Sequence, residues 1–515
     1  MTLENGIQMM KRSALLLVVL LCLASCSGVT SCRNNVGPEP IPAMSSEKPI
    51  DDAGSATEVH TDAPQNTGDL LPSTIPHEID GDVIAYRSFF GKTMMNRIAE
   101  LNLKTLENEQ SGLFDLLSDL RFTAEDVLRM IESYSCESFT KIDGAPFTEE
   151  QKKELIDYRN LTELQKRVNE KTERIDEQFA ILTENADLRS FPTDVYGQTE
   201  TSDPHFDLFQ ETKLLYATGI RILWSTEDRV WYFVQGENYY GWIRAEDCAI
   251  CTRDEFESFV APRQFTVTVS AAGSKPWERT GVILPYEQKL VKDGGFQVIL
   301  PERADNGTLK VLPYVIGAGN TGNAEYSDGF LPFTPELFNR QMNRMLGTPY
   351  GWGDMDNGGS SGFDCSSTVN SVMKCFGIYM PRNSSQYRYS GAALIDLSGK
   401  STEEKYSLVE EHPFSVLAAP GHVMFNNYLF NMASSDLSMA SKHSVIHNTT
   451  AFLMPDYASD KAEKQDTLSK REFYECVRTE LEDMYSGDGT LYLNKINLML
   501  DFEPFFVPAS VKGNN

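Results

Sequence analysis

At 515 residues the chain is long enough for several domains, each with a core of its own. A formal net charge of −28, from 46 Lys and Arg against 74 Asp and Glu, argues against a polynucleotide partner and favours solubility. The acidic residues are dispersed rather than blocked, as on a solvated surface, so the charge names no substrate.

Lys11 and Arg12 precede an apolar run from Ala14 to Leu23, which ends in Leu23-Ala-Ser-Cys26. A basic start and a short apolar core make a secretion signal, too short for a typical spanning helix. Leu-Ala-Ser-Cys resembles a bacterial lipoprotein box, which implies removal of a signal over 1–26 and lipid on Cys26. Ordinary cleavage nearby is the other reading. The protein is then expected to be exported and membrane-anchored, facing the periplasm or the cell exterior. Residues 27–78 are rich in Pro, Ser, Gly, Thr and Asp and read as a disordered tether.

Residues 79–177 read as a helical stabilising region. Thr123-Ala-Glu-Asp126 and Thr148-Glu-Glu-Gln151 are N-cap sequences. Val127, Leu128 and Ile131 form one apolar face, and Leu155, Tyr158 and Leu161 suggest another. The charged run Leu164–Phe179 reads as a solvated helix. Residues 178–262 turn to short β-rich runs bounded by turns, among them Val230-Trp-Tyr-Phe-Val234 and Tyr240-Gly-Trp-Ile243. A second β-rich block spans 263–318. Cys248-Ala-Ile-Cys251 has C-x-x-C spacing but no second ligand pair, so it reads as a chance pair at a strand end.

Within 325–510 a helix is expected around Phe333–Leu346, followed by a Gly-rich aromatic loop, Gly347-Thr-Pro-Tyr-Gly-Trp-Gly-Asp354. The loop leads through Gly362-Phe-Asp-Cys-Ser-Ser367 into a helical pattern. Val369, Val372, Met373 and Phe376 fall on one helix face and Gly377 is a stop, which puts Cys365 at a helix N-terminus. Free backbone N–H groups there stabilise a thiolate and can hold an oxyanion, so a lowered thiol pKa is expected. Ala419-Pro-Gly-His-Val-Met424 and Ser444-Val-Ile-His447 are apolar runs that each carry a histidine. On neighbouring antiparallel strands, His422 and His447 would meet. A thiol, an imidazole base and a polar group fixing that imidazole form the general arrangement of thiol nucleophiles. His443 shares a strand face with His447 and is a rival third residue. His60, His77, His205 and His412 have no such context. The tail Thr490–Leu500 alternates like a strand and is expected to close the sheet.

Tyr350-Gly-Trp-Gly, Phe363-Asp-Cys-Ser-Ser, Pro381-Arg-Asn-Ser-Ser-Gln386, Gly421-His-Val-Met and Val445-Ile-His-Asn448 resemble, in order, the motifs of the NlpC-type cell-wall cysteine peptidases. The upstream runs Trp231–Gln235 and Tyr239–Ile243 resemble the last strands of bacterial SH3-like barrels. Leu188–Thr193 and Asp207–Thr212 resemble segments preceding that barrel in multi-domain relatives. The resemblance implies an α+β chain: a papain-like catalytic domain after two small SH3-like barrels and an N-terminal helical region. It implies Cys365 as nucleophile, His422 as base and His447 as the orienting residue. Tyr350 and the Cys365 N–H would stabilise the oxyanion. The substrate would be a murein peptide with a free N-terminal L-Ala, cut between γ-D-Glu and the diamino acid. Asp364, Ser366, Asn383 and Ser384 would bind its ammonium, with Asn383 standing where relatives carry Asp. The resemblance implies no cofactor or metal. The stretch from Phe425 to Lys442 departs from the usual short turn, which leaves a catalytically degenerate peptidoglycan-binding lipoprotein as the alternative. Amidase or acyl-transfer chemistry on the same fold is a third reading.

Overall fold

The computed structural model describes residues 92–118, 121–137, 139–170, 174–198, 203, 205–268, 275–278, 281–289, 295–316, 326–356, 358, 361–427, 443–457 and 464–505. The expected signal, Cys26 and the tether lie outside these residues, as does 428–442, the departure after His422. No described helix is long and apolar enough to cross a membrane.

Helix α1 (Lys92–Glu107) joins the C-terminal body rather than the helices that follow it. Ile98 and Leu101 enter the C-terminal core. Asn102 Nδ2 donates to Gly377 O at 2.7 Å, and its Oδ1 accepts the Tyr379 N–H at 3.0 Å. Helices α2 (Ala124–Glu132) and α3 (Glu149–Asp157) each start on a full capping box, Thr123 with Asp126 and Thr148 with Gln151. Both Thr side chains satisfy an N–H that the first helical turn leaves open. Helix α4 (Leu161–Asn169) ends before the expected charged helix does, and a strand already begins at Gln178. The run is not uniformly solvated either: Leu164 is fully buried, packed with Val127 and Ile131 against Trp231, Phe233 and Trp242.

Those aromatics belong to a seven-stranded antiparallel sheet. It comprises β1 (Gln178–Leu182), β2 (Ala186–Arg189), β3 (Gln210–Leu214), β4 (Gly219–Ser225), β5 (Trp231–Gln235), β6 (Tyr240–Arg244) and β7 (Cys248–Cys251). The order is β3-β2-β6-β5-β4-β1-β7. Cys248 and Cys251 feed different hydrophobic clusters, as an odd spacing along a strand dictates. Among the described residues Cys136, Cys248, Cys251, Cys365, Cys375 and Cys476 are free thiols. Helix α5 (Arg253–Val260) leads to a five-stranded antiparallel sheet of β8 (Phe265–Thr268), β9 (Ile283–Lys289), β10 (Phe296–Arg303), β11 (Leu309–Ile316) and β12 (Tyr326–Asp328).

The C-terminal body contains α6 (Pro335–Arg344), α7 (Cys365–Lys374), β13 (Ala393–Asp396), α8 (Thr402–Glu411), β14 (Ser415–Ala419), β15 (His422–Asn426), β16 (Ser444–Tyr457), β17 (Lys464–Glu480) and β18 (Leu498–Asp501). Its sheet runs β13-β18-β14-β15-β16-β17. Val369, Val372, Met373 and Phe376 pack with Val423, Phe425 and Ile446, so α7 lies across the sheet with its start beside β15. The expected tail strand is shorter and placed differently. Tyr492–Lys495 forms a 3₁₀ turn, and β18 inserts between β13 and β14 instead of closing an edge.

Candidate active site

Two backbone features bring Cys365 to its place. The loop before it folds back on itself: Phe363 N–H donates to Pro349 O at 2.8 Å, and Gly351 N–H to Phe363 O at 3.2 Å. A Cβ on Gly362 would sit 2.5 Å from Pro349 O, so only glycine lets these strands approach. The helix then opens on Asp364, whose Oδ1 accepts the Ser367 N–H at 2.7 Å. Arg382 grips the same carboxylate, Nη2 to Oδ2 at 2.6 Å and Nη1 to Oδ1 at 3.2 Å. It also donates to Ser366 Oγ at 2.8 Å, and its Nε reaches Thr212 Oγ1 on β3 at 2.7 Å. Both flanks of Cys365 are thus held by one buried guanidinium.

Asp364, expected to bind an ammonium, already pairs with Arg382: Oδ1 accepts from Arg382, Ser366 and Ser367, and Oδ2 accepts from Arg382. Its charge is matched by Arg382, and its oxygens also serve the helix cap and the Ser366 hydroxyl. Asn383 and Ser384 follow Arg382 half-buried, with the Asn383 N–H donating to Gln386 Oε1 at 3.3 Å. Tyr350 sits half-buried beside this loop, its ring 5.5 Å from that of Phe206, which the first β body contributes.

Strands β15 and β16 pair antiparallel with Phe425 opposite Ile446, which sets His422 and His447 diagonally across the pair. His422 Nε2 lies 2.8 Å from His447 Nδ1, and His447 Nε2 lies 2.9 Å from Thr479 Oγ1 on β17. Cys365 lies beside the start of β15: the N–H groups of Ser366 and of Val423, the residue after His422, favour its thiolate. One proton arrangement leaves His422 Nδ1 open as an acceptor. In it, His422 Nε2–H donates to His447, and His447 Nε2–H donates to Thr479. Rival His443 is engaged elsewhere, its Nδ1 with Glu482 and its Nε2 with Glu410 at 2.8 Å.

The electrostatics correct one expectation. Burial, reinforced by Asp364, pushes the Cys365 thiol up to about 12, although the Val423 and Ser366 N–H groups and Arg382 oppose it. Burial also pulls His422 down to about 4 and His447 well below its usual value. Helix-start N–H groups are outweighed by desolvation, and the resting pair is thiol and neutral imidazole. A raised thiol pKa means thiolate grows with pH throughout the neutral range. Alkylation of Cys365 by iodoacetamide in the free protein should therefore rise about tenfold per pH unit between pH 6 and 9. A plateau already reached at pH 6 would reveal a preformed ion pair.

Glu211 and Tyr239 were not marked by sequence reasoning, although the segments that carry them were. Tyr239 Oη donates to Glu211 Oε2 at 2.7 Å. Burial raises the Glu211 carboxyl to about 7, while Tyr239 and the Arg382 and Arg189 charges draw it down. The Arg382 charge that acts on Glu211 belongs to the guanidinium that holds Asp364 and Ser366 on either side of Cys365. Thr479 also went unmarked, having no motif around it. Among the described residues, His412, Asp501 and Glu503 bring three ligand-type atoms within 4.8 Å of one another. The His412 Nδ1 to Asp501 Oδ2 contact at 3.1 Å and the Glu503 N–H to Asp501 bond at 3.0 Å account for that grouping without an ion.

Residues 347–433 match the NlpC/P60 family model, and residues 196–244 match the SH3 domain (SH3b1 type) model. The C-terminal body thus carries an NlpC/P60 domain, and the seven-stranded body before it carries an SH3b domain. The solved structure of a novel NlpC/P60 endopeptidase from Photobacterium damselae subsp. piscicida is similar at a TM-score of 0.57 and 18% identity. That similarity covers 84% of this chain and 99% of the other, and shows a shared fold. NlpC2 and NlpC1 from Trichomonas vaginalis align at 13% and 14% identity with TM-scores of 0.20 and 0.19. Each alignment covers 59% of this chain, with 96% of NlpC2 and 92% of NlpC1. No curated protein matches.

Proposed function

We infer that the chain is a cysteine peptidase that hydrolyses the γ-D-glutamyl to diamino acid bond of murein peptides with a free N-terminal L-Ala. The observation that carries this reading is the hydrogen-bonded row His422, His447, Thr479 beside a sulfur at a helix start. In this mechanism the Cys365 thiol proton moves to His422 Nδ1 as the sulfur bonds to the γ-carbonyl carbon. The Cys365 N–H and the Tyr350 hydroxyl stabilise the oxyanion. Collapse expels the diamino acid amine, which takes the proton from His422, and water then hydrolyses the thioester. His447 keeps the base in its working tautomer. The same reading makes the protein an exported lipoprotein held by Cys26, its tether giving the enzyme reach to murein.

Glu211 joins Asp364 as a carboxylate partner for the ammonium. An ammonium beside it would hold the carboxyl ionised, against the burial that now raises it. A tripeptide L-Ala-γ-D-Glu-diamino acid should release L-Ala-γ-D-Glu, and its N-acetylated form should not. Glu211→Gln should lower kcat/KM on the free-amine peptide about 10–100-fold, the worth of a hydrogen bond to a charged group. Equal cleavage of free and blocked peptides would remove the N-terminal requirement. No turnover of either would favour a non-catalytic wall-binding protein.

A further inference from the structure

We propose that Lys213, on β3 of the SH3b domain, is a positioning residue for the candidate peptidase centre, fixing the loop that carries Tyr350 and leads into Cys365. Its side chain is 7% exposed. Lys213 Nζ lies 3.0 Å from Asp354 Oδ1, 2.9 Å from Ser361 Oγ and 3.1 Å from Asp187 Oδ1. Asp354 stands on the outgoing limb of the loop and Ser361 on the returning limb, so one ammonium ties both. Asp354 also accepts the Gly362 N–H on Oδ2 at 3.0 Å and the Met355 N–H on Oδ1 at 2.8 Å. The bridge is continuous from the SH3b strand to the residue three before Cys365.

The loop also rests on the β3 backbone. Gly353 has φ +66°, and a Cβ there would meet Gln210 O at 2.7 Å. Thr212, the next residue before Lys213, holds Arg382 and through it Asp364 and Ser366. Adjacent residues of one strand therefore brace the two approaches to the nucleophile, Thr212 from the helix cap and Lys213 from the loop. The Asp354 and Asp187 charges keep Lys213 protonated despite burial. Removing the ammonium leaves Asp354 buried without its counter-charge and frees both limbs to drift.

The effect on turnover rests on the peptidase reading, and its form separates positioning from substrate binding. Tyr350 acts on the oxyanion, which exists only after attack, whereas Glu211 holds the ground-state peptide. In the full chain, Lys213→Met should lower kcat about 30–100-fold, the usual penalty for about an ångström of misplacement, while KM stays within about twofold. Lys213→Arg should recover most of the loss. Iodoacetamide should alkylate Cys365 at the parental rate, because the sulfur and His422 stand on α7 and β15. Asp354→Asn cuts the same bridge from the other side, keeps the side-chain shape and serves where Lys213→Met fails to fold. The double variant should be no slower than either single one. Amide hydrogen exchange over 351–363 should quicken in Lys213→Met and stay unchanged in β15 and β16. A rise in KM at constant kcat, losses that multiply in the double variant, or unchanged exchange in the loop would each overturn the proposal. A parent that hydrolyses nothing would sink the peptidase reading alone, and the exchange experiment would still decide the role of Lys213.

Discussion

Cys365→Ala should lower kcat on the free-amine tripeptide by about 10⁵–10⁶-fold, with stability changed by about 1 kcal/mol or less. The sulfur is half-buried at the first position of α7, so its loss opens no large cavity. What it removes is the one atom able to bond to the carbonyl carbon. His422→Ala should cost nearly as much, and the pair together little more, because sulfur and base act in one proton transfer. The resting site sharpens this expectation. With the thiol raised and His422 lowered, attack and deprotonation have to coincide, and an imidazole without its thiol gives no residual route. Product release is read by chromatography and stability by thermal unfolding. Measurable dipeptide release by Cys365→Ala would end the covalent mechanism.

The elements of that site were legible wherever local pattern decides structure. Four apolar residues at i, i+3, i+4 and i+7 located α7 and hence the helix start at Cys365, because one face of that helix must be buried. Thr123 and Thr148 marked real helix starts, since a capping box is completed within four residues. Two histidines on apolar runs met across β15 and β16 because alternation fixes which face a residue takes. Contacts made across the chain were not legible. Arg382 finds Thr212 at a separation of 170 residues and Lys213 finds Ser361 at 148, and no periodicity announces either. The thiol pKa failed for the same reason. A helix start is a local feature, but the burial that outweighs it is set by how the folded body closes around the sulfur. Nothing local to Asp364 announced the Arg382 guanidinium that pairs with it.

That guanidinium sets the largest expected effect on stability. Asp364 and Arg382 have side chains 10% and 2% exposed, so their pairing replaces water almost entirely. Arg382→Met should cost about 3–5 kcal/mol in denaturant unfolding, because it strands a buried carboxylate rather than merely losing an attraction. Arg382→Lys should recover little, since an ammonium cannot reach Asp364, Ser366 and Thr212 in one plane as the guanidinium does. The neutral pair Asp364→Asn with Arg382→Met gives the decisive comparison. Asn still caps a helix, so the start of α7 survives, and no unpaired charge remains inside. Stability should then return to within about 1–2 kcal/mol of the parent. Activity should not return with it. The Arg382 charge favours the Cys365 thiolate, and its Nε is the link from the cap to the SH3b strand. If the double variant regained turnover along with stability, Arg382 would be a folding residue with no part in arranging the nucleophile.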